Sequence, residues 1–389
     1  MPDGGVPWET FTGAGPLHSN SDRRLADGKV DPVSHDLAAI LDDYDQGDLT
    51  VATACSHTSL QIFEGAHREG LNTIGLAVGE EPKHYDAFPR AKPDEFLVAD
   101  TWPELADLAG QLRERNAVIV PHGSFVEYMG AENYAEMEVP MYGNRHVLDW
   151  ESDRNKERQW LEEAGLDTPP VLDDPRDIVK PVMVKYHGAK GGDGFFIANS
   201  YPEFLQKIED DVDLDDTHIQ EFTLGTRYYM HYFYSPLTDD GYQVGDGNLQ
   251  MLSVDRRDET TIDEAHRLGS IKELENMGIR PSFVVTGNVP MTLRESLLPK
   301  VLEMGAETVK YAYENFGGLW GPFCLETVVT DDLEFTVFEI SARIVAGTNP
   351  FITSSPYGDF VEPGLSTGQR IAQELKLAEK QNQLETVLT

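Results

Sequence analysis

VKYHGAKGGDGFF, residues 184–196, sets four glycines and two lysines behind a short apolar run. Glycine lets a backbone approach a ligand closely and takes up positive φ at little cost, and lysine brings charge for a phosphate. The stretch is not a G-x-x-x-x-G-K-[ST] loop, nor does it hold a clean G-x-G-x-x-G. On these residues alone a glycine-rich turn with incidental lysines and a phosphate loop stand level. The flanks shift the balance. PVMVKYHGAKGGDGFFIANS (181–200) reads as strand, glycine loop, strand, a hairpin in place of the strand-to-helix turn of dinucleotide and P-loop sites. A hairpin would lay the loop over a nucleotide as a lid.

A second hairpin lies downstream in PFCLETVVTDDLEFTVFEISAR (322–343), where two β-branched runs flank TDDLE. A turn centred on Asp332–Leu333 pairs Glu326 with Glu339 across the strands, on one side of the sheet. Like charges directly opposed are destabilising unless something neutralises them. A divalent cation does so, and Mg²⁺ takes one or two carboxylates together with phosphate oxygens. The plainer alternative is a surface pair with one member satisfied by an arginine such as Arg343. Joined to a glycine–lysine lid, the metal–nucleotide reading is the stronger.

Upstream, DLTVATAC, HTSLQIFEGAHREG and NTIGLAV read as strand, helix and strand, and NAVIVPHGSF as a further strand. The alternation predicts a parallel sheet in an α/β domain. Ligands of such sheets sit at the carboxyl ends of strands, where SHTS places His57 and PHGS places Ser124. A helix is expected over 157–168, another over YPEFLQKIED, and a long strand pair in HIQEFTLGTRYYMHYFYS.

The 389 residues suffice for two or three domains. No apolar run reaches the ~20 residues that cross a bilayer, and the N-terminus lacks the regions of a signal peptide. Cys55 and Cys324 form no disulfide framework, which suits a reducing cytoplasm. The 31 basic and 68 acidic residues give a net charge of −37. Such a balance argues against nucleic-acid binding, which needs clustered Lys and Arg. A surface this acidic repels itself in dilute buffer and is tolerated where salt screens it, as in halophiles.

The order of parts (strand lysine, glycine hairpin, QEF segment, two strand glutamates) resembles the ATP-grasp fold. More narrowly, ATACSHTSLQIFEGA, VPHGSF, VPMYGNR, HYFYSP, VVTGNVPMTLRESLLP, GPFCLET and FEISAR resemble the archaeal formate-dependent ligases that formylate AICAR, the FAICAR synthetases, from about residue 45 to the end. The resemblance implies a pre-grasp, Rossmann-like parallel-sheet domain followed by an ATP-grasp fold of two α+β subdomains. It divides the chain into a flexible extension (1–34), a substrate-binding α/β domain (35–150), a small subdomain with the lid (151–235) and a C-terminal subdomain with the metal glutamates (236–389). It implies ATP, formate and AICAR as substrates, Mg²⁺ or Mn²⁺ as the metal, formyl phosphate as the intermediate and a cytoplasmic homo-oligomer.

By that resemblance Lys185 and Lys190 hold the ATP phosphates under Gly188, Gly191, Gly192 and Gly194. Glu221 holds the adenosine end, with Glu259 a weaker candidate nearby, and Glu326 and Glu339 carry the metal. His57, Ser124 and Asn288 belong to the AICAR or formate site, Arg343 is catalytic, and Arg294 neighbours a phosphate. Three positions depart from the pattern. Val345 and Ala346 stand where an acidic residue and a glycine are usual, His187 precedes the loop glycine in place of proline, and Ser341 stands where many ATP-grasp enzymes place asparagine. The Val345 change leaves open a ligase for another small acid and amine, or a nucleotide-binding paralogue without turnover.

Overall fold

The computed structural model describes residues 36–186, 195–208, 217–260, 262–263, 269, 284–345 and 357–389. The expected extension at 1–34 and the centre of the glycine loop therefore lie outside the described residues. Within them three sheets form. The first holds β1 (Thr50–Ala54), β2 (Asn72–Val78), β3 (Glu95–Ala99) and β4 (Ala117–Ile119), all parallel in the order β3-β2-β1-β4. Helix α1 (Ser59–Arg68) makes the first crossover. β1, TVATA, is buried along its whole length because both faces are covered, and the buried Thr53 hydroxyl is satisfied by the Val120 carbonyl at 2.7 Å.

The second sheet holds β5 (Val182–Tyr186), β6 (Phe195–Ala198) and β7 (Thr217–Glu221), with β5 central. β5 and β6 pair antiparallel, Lys185 opposite Phe195, so the expected hairpin is present. The third sheet is antiparallel. It comprises β8 (Thr226–Ser235), β9 (Tyr242–Val244), β10 (Gly247–Glu259), β11 (Val285–Pro290), β12 (Gly321–Val329) and β13 (Phe335–Ser341), in the order β11-β10-β8-β12-β13, with β9 on β10.

Three local expectations are corrected. HIQEF and TRYYMHYFYS are both strands, but they do not pair with each other. β7 adds to β5 and β8 lies between β10 and β12. Gly225 lets the chain cross between the sheets, because a Cβ there would lie 2.2 Å from the Val329 carbonyl oxygen. By sheet membership the segment 226–235 thus goes with the C-terminal part of the chain. The helix expected over 157–168 spans Arg154–Glu163; Asp153 caps its start, and Gly165 at φ +78° follows its end.

The third correction concerns the 322–343 hairpin. Its turn is centred on Asp332, not between Asp332 and Leu333: Thr330 pairs with Glu334, and Leu333 takes φ +65° in a three-residue loop. A bulge at Phe338 then shifts the register by one and brings Glu326 opposite Glu339. Two one-residue offsets cancel.

The C-terminal chain returns to the first sheet. Helix α4 (Thr367–Gln381) packs on α1 through glycines: a Cβ on Gly65 would lie 2.2 Å from the Gln369 nitrogen, and one on Gly368 2.0 Å from the Gln61 carbonyl oxygen. These are backbone contacts with no flexible side-chain tip to give way. Gly368→Ala is expected to cost about 1–3 kcal/mol, as overpacking does; urea unfolding followed by circular dichroism would measure it. One apolar cluster runs from Ile40 and Val51 through Trp160 and Tyr232 to Leu388. The α/β domain and the large sheet therefore share a core. No helix among the described residues is long and apolar enough to cross a membrane.

Candidate active site

Between the small sheet and the large one lies a cleft of about 590 Å³. Side-chain alternation on the large sheet builds its floor. Arg227 and Tyr229 of β8, Arg257 and Glu259 of β10, Glu326 of β12 and Glu339 of β13 face one way. The opposite face, with Met230, Tyr232, Phe323 and Leu325, is buried core. The roof is Lys185, His218 and Glu221 of the small sheet, and the short helix α2 (Val147–Ser152) and α3 (Arg154–Glu163) wall one side.

Charge distinguishes this surface. The chain carries more than two acids for each base, yet Arg154, Arg158, Lys185, Arg227, Arg257 and Arg343 all line the cleft, against seven glutamates. Cations are thus concentrated here relative to the composition of the chain, which suits a polyanion.

The carboxylates are held unequally. Glu326 is buried and its two oxygens take Arg257 at 2.6 and 3.3 Å. The arginine that satisfies the pair is thus Arg257, stacked 3.7 Å over the Tyr229 ring, and not Arg343. Burial works against the Arg257 charge, but Glu326, together with Tyr229 and Cys324, outweighs it and the guanidinium pKa is raised. Glu339 opens onto cleft water; enclosure by the walls, then the Glu326 charge, raise its pKa above the carboxylate range. Glu157, on α3, is raised by burial and then by Glu339, while accepting the Ile340 backbone N–H at 2.8 Å.

Arg343 pairs with Glu151 at 2.7 Å, and Glu151 also accepts the Ala342 backbone N–H at 2.9 Å. The two glutamates so cover the free edge of β13. The Nε of Arg343 is buried without a partner among the described residues, a donor left for a ligand. Burial lowers the Lys185 pKa, although Glu339 opposes this.

At the inner end the parallel sheet contributes its switch point. The strand order reverses between β1 and β4, and the loops after them carry His57 and Ser124. His57 holds φ +59° and its ring stacks on His122, 5.2 Å between centroids. Strain of that kind in a non-glycine residue clusters at ligand sites. His122 donates Nε2–H to the Ala54 carbonyl at 3.0 Å and accepts the Ser124 backbone N–H on Nδ1 at 3.2 Å. The Ser124 hydroxyl lies 2.9 Å from that of Ser56. Burial, followed by the stacked His122 and then by Arg343 and Arg257, lowers the pKa of His57 to about 3, and burial lowers that of His122 to about 4. Both rings are neutral at pH 7. A Cβ on Gly123 would meet His57 Nε2 at 2.9 Å and Arg343 at 3.4 Å, so that glycine lets the switch point close onto the cleft.

The cleft thus gathers Lys185, Glu221, Glu259, Glu326, Glu339 and Arg343, with His57 and Ser124 at its inner end. Glu221 is paired with Lys180 at 3.1 Å and Glu259 with Arg227 at 3.0 Å. Asn288 shares the sheet face, opposite Arg257, but donates to Asp255. Arg294 is exposed ahead of a 3₁₀ turn and does not line the cleft. Gly188, Lys190, Gly191, Gly192 and Gly194, with His187 and Ala346, lie outside the described residues. Val345 is buried against Tyr229 and Cys324. Arg257, Glu151 and Glu157 went unread in the sequence. Arg257 had a signal, the period-two run Asp255, Arg257, Glu259 within a buried strand; the two glutamates had none.

Among the described residues no three His, Cys, Asp or Glu side chains form a metal cage. Two facing carboxylates suit a hard cation that takes its remaining ligands from phosphate and water.

Residues 51–172 match the family described as "Protein of unknown function (DUF1246)" and 203–389 that described as "Domain of unknown function (DUF1297)". A solved structure of N5-carboxyaminoimidazole synthetase from Staphylococcus aureus, complexed with ADP, aligns with TM-score 0.55 over 82% of this chain and 77% of its own at 14% identity, a likeness of fold. The IMP biosynthesis protein PurP from Thermococcus kodakaraensis aligns with TM-score 0.66 at 28% identity, over 87% of this chain and 100% of its own. The 5-formaminoimidazole-4-carboxamide-1-(beta)-D-ribofuranosyl 5'-monophosphate synthetase of Methanococcoides burtonii is 57% identical over 354 residues, 91% of this chain and 98% of its own. With the ATP-grasp fold in place and likeness of that extent, the chain belongs to the family of 5-formaminoimidazole-4-carboxamide ribonucleotide synthetases.

Proposed function

We propose that this chain is the ATP-dependent ligase that joins formate to the amine of AICAR, giving FAICAR, ADP and phosphate. The observation that carries the reading is the facing Glu326/Glu339 pair on the floor of a cation-lined cleft roofed by the strand that enters the glycine hairpin. A formate oxygen attacks the γ-phosphorus of ATP, the bond from that phosphorus to the bridging oxygen breaks, and ADP leaves. The AICAR amine then attacks the formyl carbon, the bond to phosphate breaks, and the amine proton passes to water or the departing phosphate. Formate is a poor acyl donor, and phosphorylation gives it a leaving group. The protein's share is positioning and charge.

In this reading Lys185, with Lys190 and Gly188, Gly191, Gly192 and Gly194 of the hairpin, holds the phosphates, and Glu221 meets the adenosine end with Glu259 nearby. Glu326 and Glu339 hold Mg²⁺ or Mn²⁺, which when bound neutralises charge on the transferring phosphoryl group. Arg343, clamped by Glu151, offers its unpartnered Nε to an oxygen of the reacting group. His57, Ser124 and Asn288 take AICAR at the switch point. Arg294 reaches a phosphate only through a rearrangement of its exposed side chain.

The divisions at residues 34 and 150, a cytoplasmic setting and a homo-oligomeric assembly belong to the same reading, with the boundary expected at 235 drawn instead at about 225, where the chain passes from the small sheet to the large one. For the purified protein in high salt with ATP, Mg²⁺, formate and AICAR, the expected result is ADP release that requires formate, with FAICAR formed in equal amount. ADP release only with other acid–amine pairs would point to a different ligase, and tight AICAR binding without turnover to a non-catalytic paralogue.

A further inference from the structure

Beside the Arg257–Glu326 pair, on the same face of the sheet, lies a polar cluster of which the reaction above uses only Asn288. Asp255 is buried, with its side chain 4% exposed, and one of its oxygens takes Nε2 of His231, itself 3% exposed. Its other oxygen takes Nδ2 of Asn288. The three side chains come from adjacent strands β8, β10 and β11, on the face that forms the cleft floor.

A buried carboxylate stays satisfied only if donors face it, and a carboxylate accepts without donating. An asparagine amide can turn either its NH₂ or its oxygen to a given neighbour. Asp255 decides which. With the amide nitrogen drawn inward to Asp255, Oδ1 lies on the other branch of the amide and is not used by this network. His231 fixes the remaining carboxylate oxygen, so that Asp255 has no free rotation with which to release Asn288.

We propose that Asp255, held by His231, is a positioning residue that locks the Asn288 amide nitrogen-inward, so that position 288 presents an acceptor and reads an N–H group of the amine substrate. The inference rests on the reading that Asn288 belongs to the substrate site. AICAR carries two NH₂ groups, an amine and a carboxamide, that such an acceptor could take. A competing ligand with a carbonyl or carboxylate oxygen in that place would meet oxygen against oxygen.

The test compares KM for AICAR with KM for ATP in the full-length protein, unaltered and in variants. Asp255→Asn offers one acceptor oxygen to two donors, so the Asn288 amide is released. The KM for AICAR is expected to rise about tenfold or more, the worth of one misdirected hydrogen bond, with the KM for ATP changed less than about twofold on the same scale. Asn288→Ala sets the full loss at this position. The exchanged pair Asp255→Asn with Asn288→Asp restores every donor and acceptor: the new amide donates to position 288 and accepts from His231, and position 288 still shows oxygen to the ligand. It is expected to recover most of the loss, which a purely structural role for Asp255 would not produce.

An unchanged KM for AICAR in folded Asp255→Asn, or an exchanged pair no better than the single variant, overturns the proposal. Should Asp255→Asn fail to fold, His231→Leu is read in its place, and an unchanged KM for AICAR again overturns it. If the unaltered protein releases no ADP with AICAR, the functional reading fails and takes this inference with it. Normal turnover with unmoved KM values sinks this inference alone.

Discussion

Glu339→Gln is expected to lower turnover by about three orders of magnitude, the scale on which a single electrostatic contributor to a charged transition state acts. The substitution keeps the shape of the side chain and removes the anionic oxygen that a hard cation requires. It should not cost stability. Glu339 faces Glu326 across the hairpin, so its charge opposes folding when no cation lies between them. The pH dependence gives a second readout. Because the folded-state pKa of Glu339 is raised, the folded protein holds a proton that the unfolded chain has already lost as pH climbs above the ordinary glutamate value. Stability from this group is therefore fully present at low pH and falls as pH rises through the folded-state pKa. Thermal melts without divalent cation should show that decline. In Glu339→Gln the slope should be shallower but not flat, since burial, with the Glu151 and Glu326 charges, still raises Glu157 in the same direction. Near-normal activity of the variant would sink the metal assignment.

Arg257→Met should destabilise the protein by about 3–5 kcal/mol, the cost of stranding one member of a buried ion pair. Glu326 is 4% exposed and both of its oxygens depend on Arg257. The loss has a second part, because the guanidinium stacks on Tyr229 and the methionine would give up that cation–π contact. Arg257→Lys should recover only part of the difference: an ammonium supplies the charge but neither the fork that meets both carboxylate oxygens nor the flat face over the ring. Guanidinium chloride is unsuited to the measurement because it screens the pair, whereas urea leaves it intact. A loss under 1 kcal/mol for Arg257→Met, measured in urea, would show that water, not Arg257, satisfies Glu326.

Much of the fold is written locally. Three of the four parallel strands of the first sheet (β1, β2 and β4) and α1 were legible because apolar periodicity and closing glycines act within a few residues of chain, whereas β3, the edge strand Glu95–Ala99, went unread. The Glu326/Glu339 pairing was legible because a hairpin ties its register to its turn, although the turn residue and the Phe338 bulge that together preserve it were not. The glycine hairpin at 184–196 was recognisable by its flanking strands, and their pairing is present.

What the tertiary structure alone decided are pairings between residues far apart in the chain. HIQEF and TRYYMHYFYS look alike as adjacent strands, and only the partners each one finds assign them to different sheets. Arg343 and Arg257 were equally eligible for Glu326 by residue type. The choice fell to Arg257 because β10 and β12 flank β8 and turn both side chains to one face, while Glu151 on α2 captured Arg343. Period-two alternation says that a side chain leaves a strand on a given side. Which sheet, and which opposite charge, waits there is set by packing over the whole chain, and that is why the residue types of the cleft were readable and its ion pairs were not.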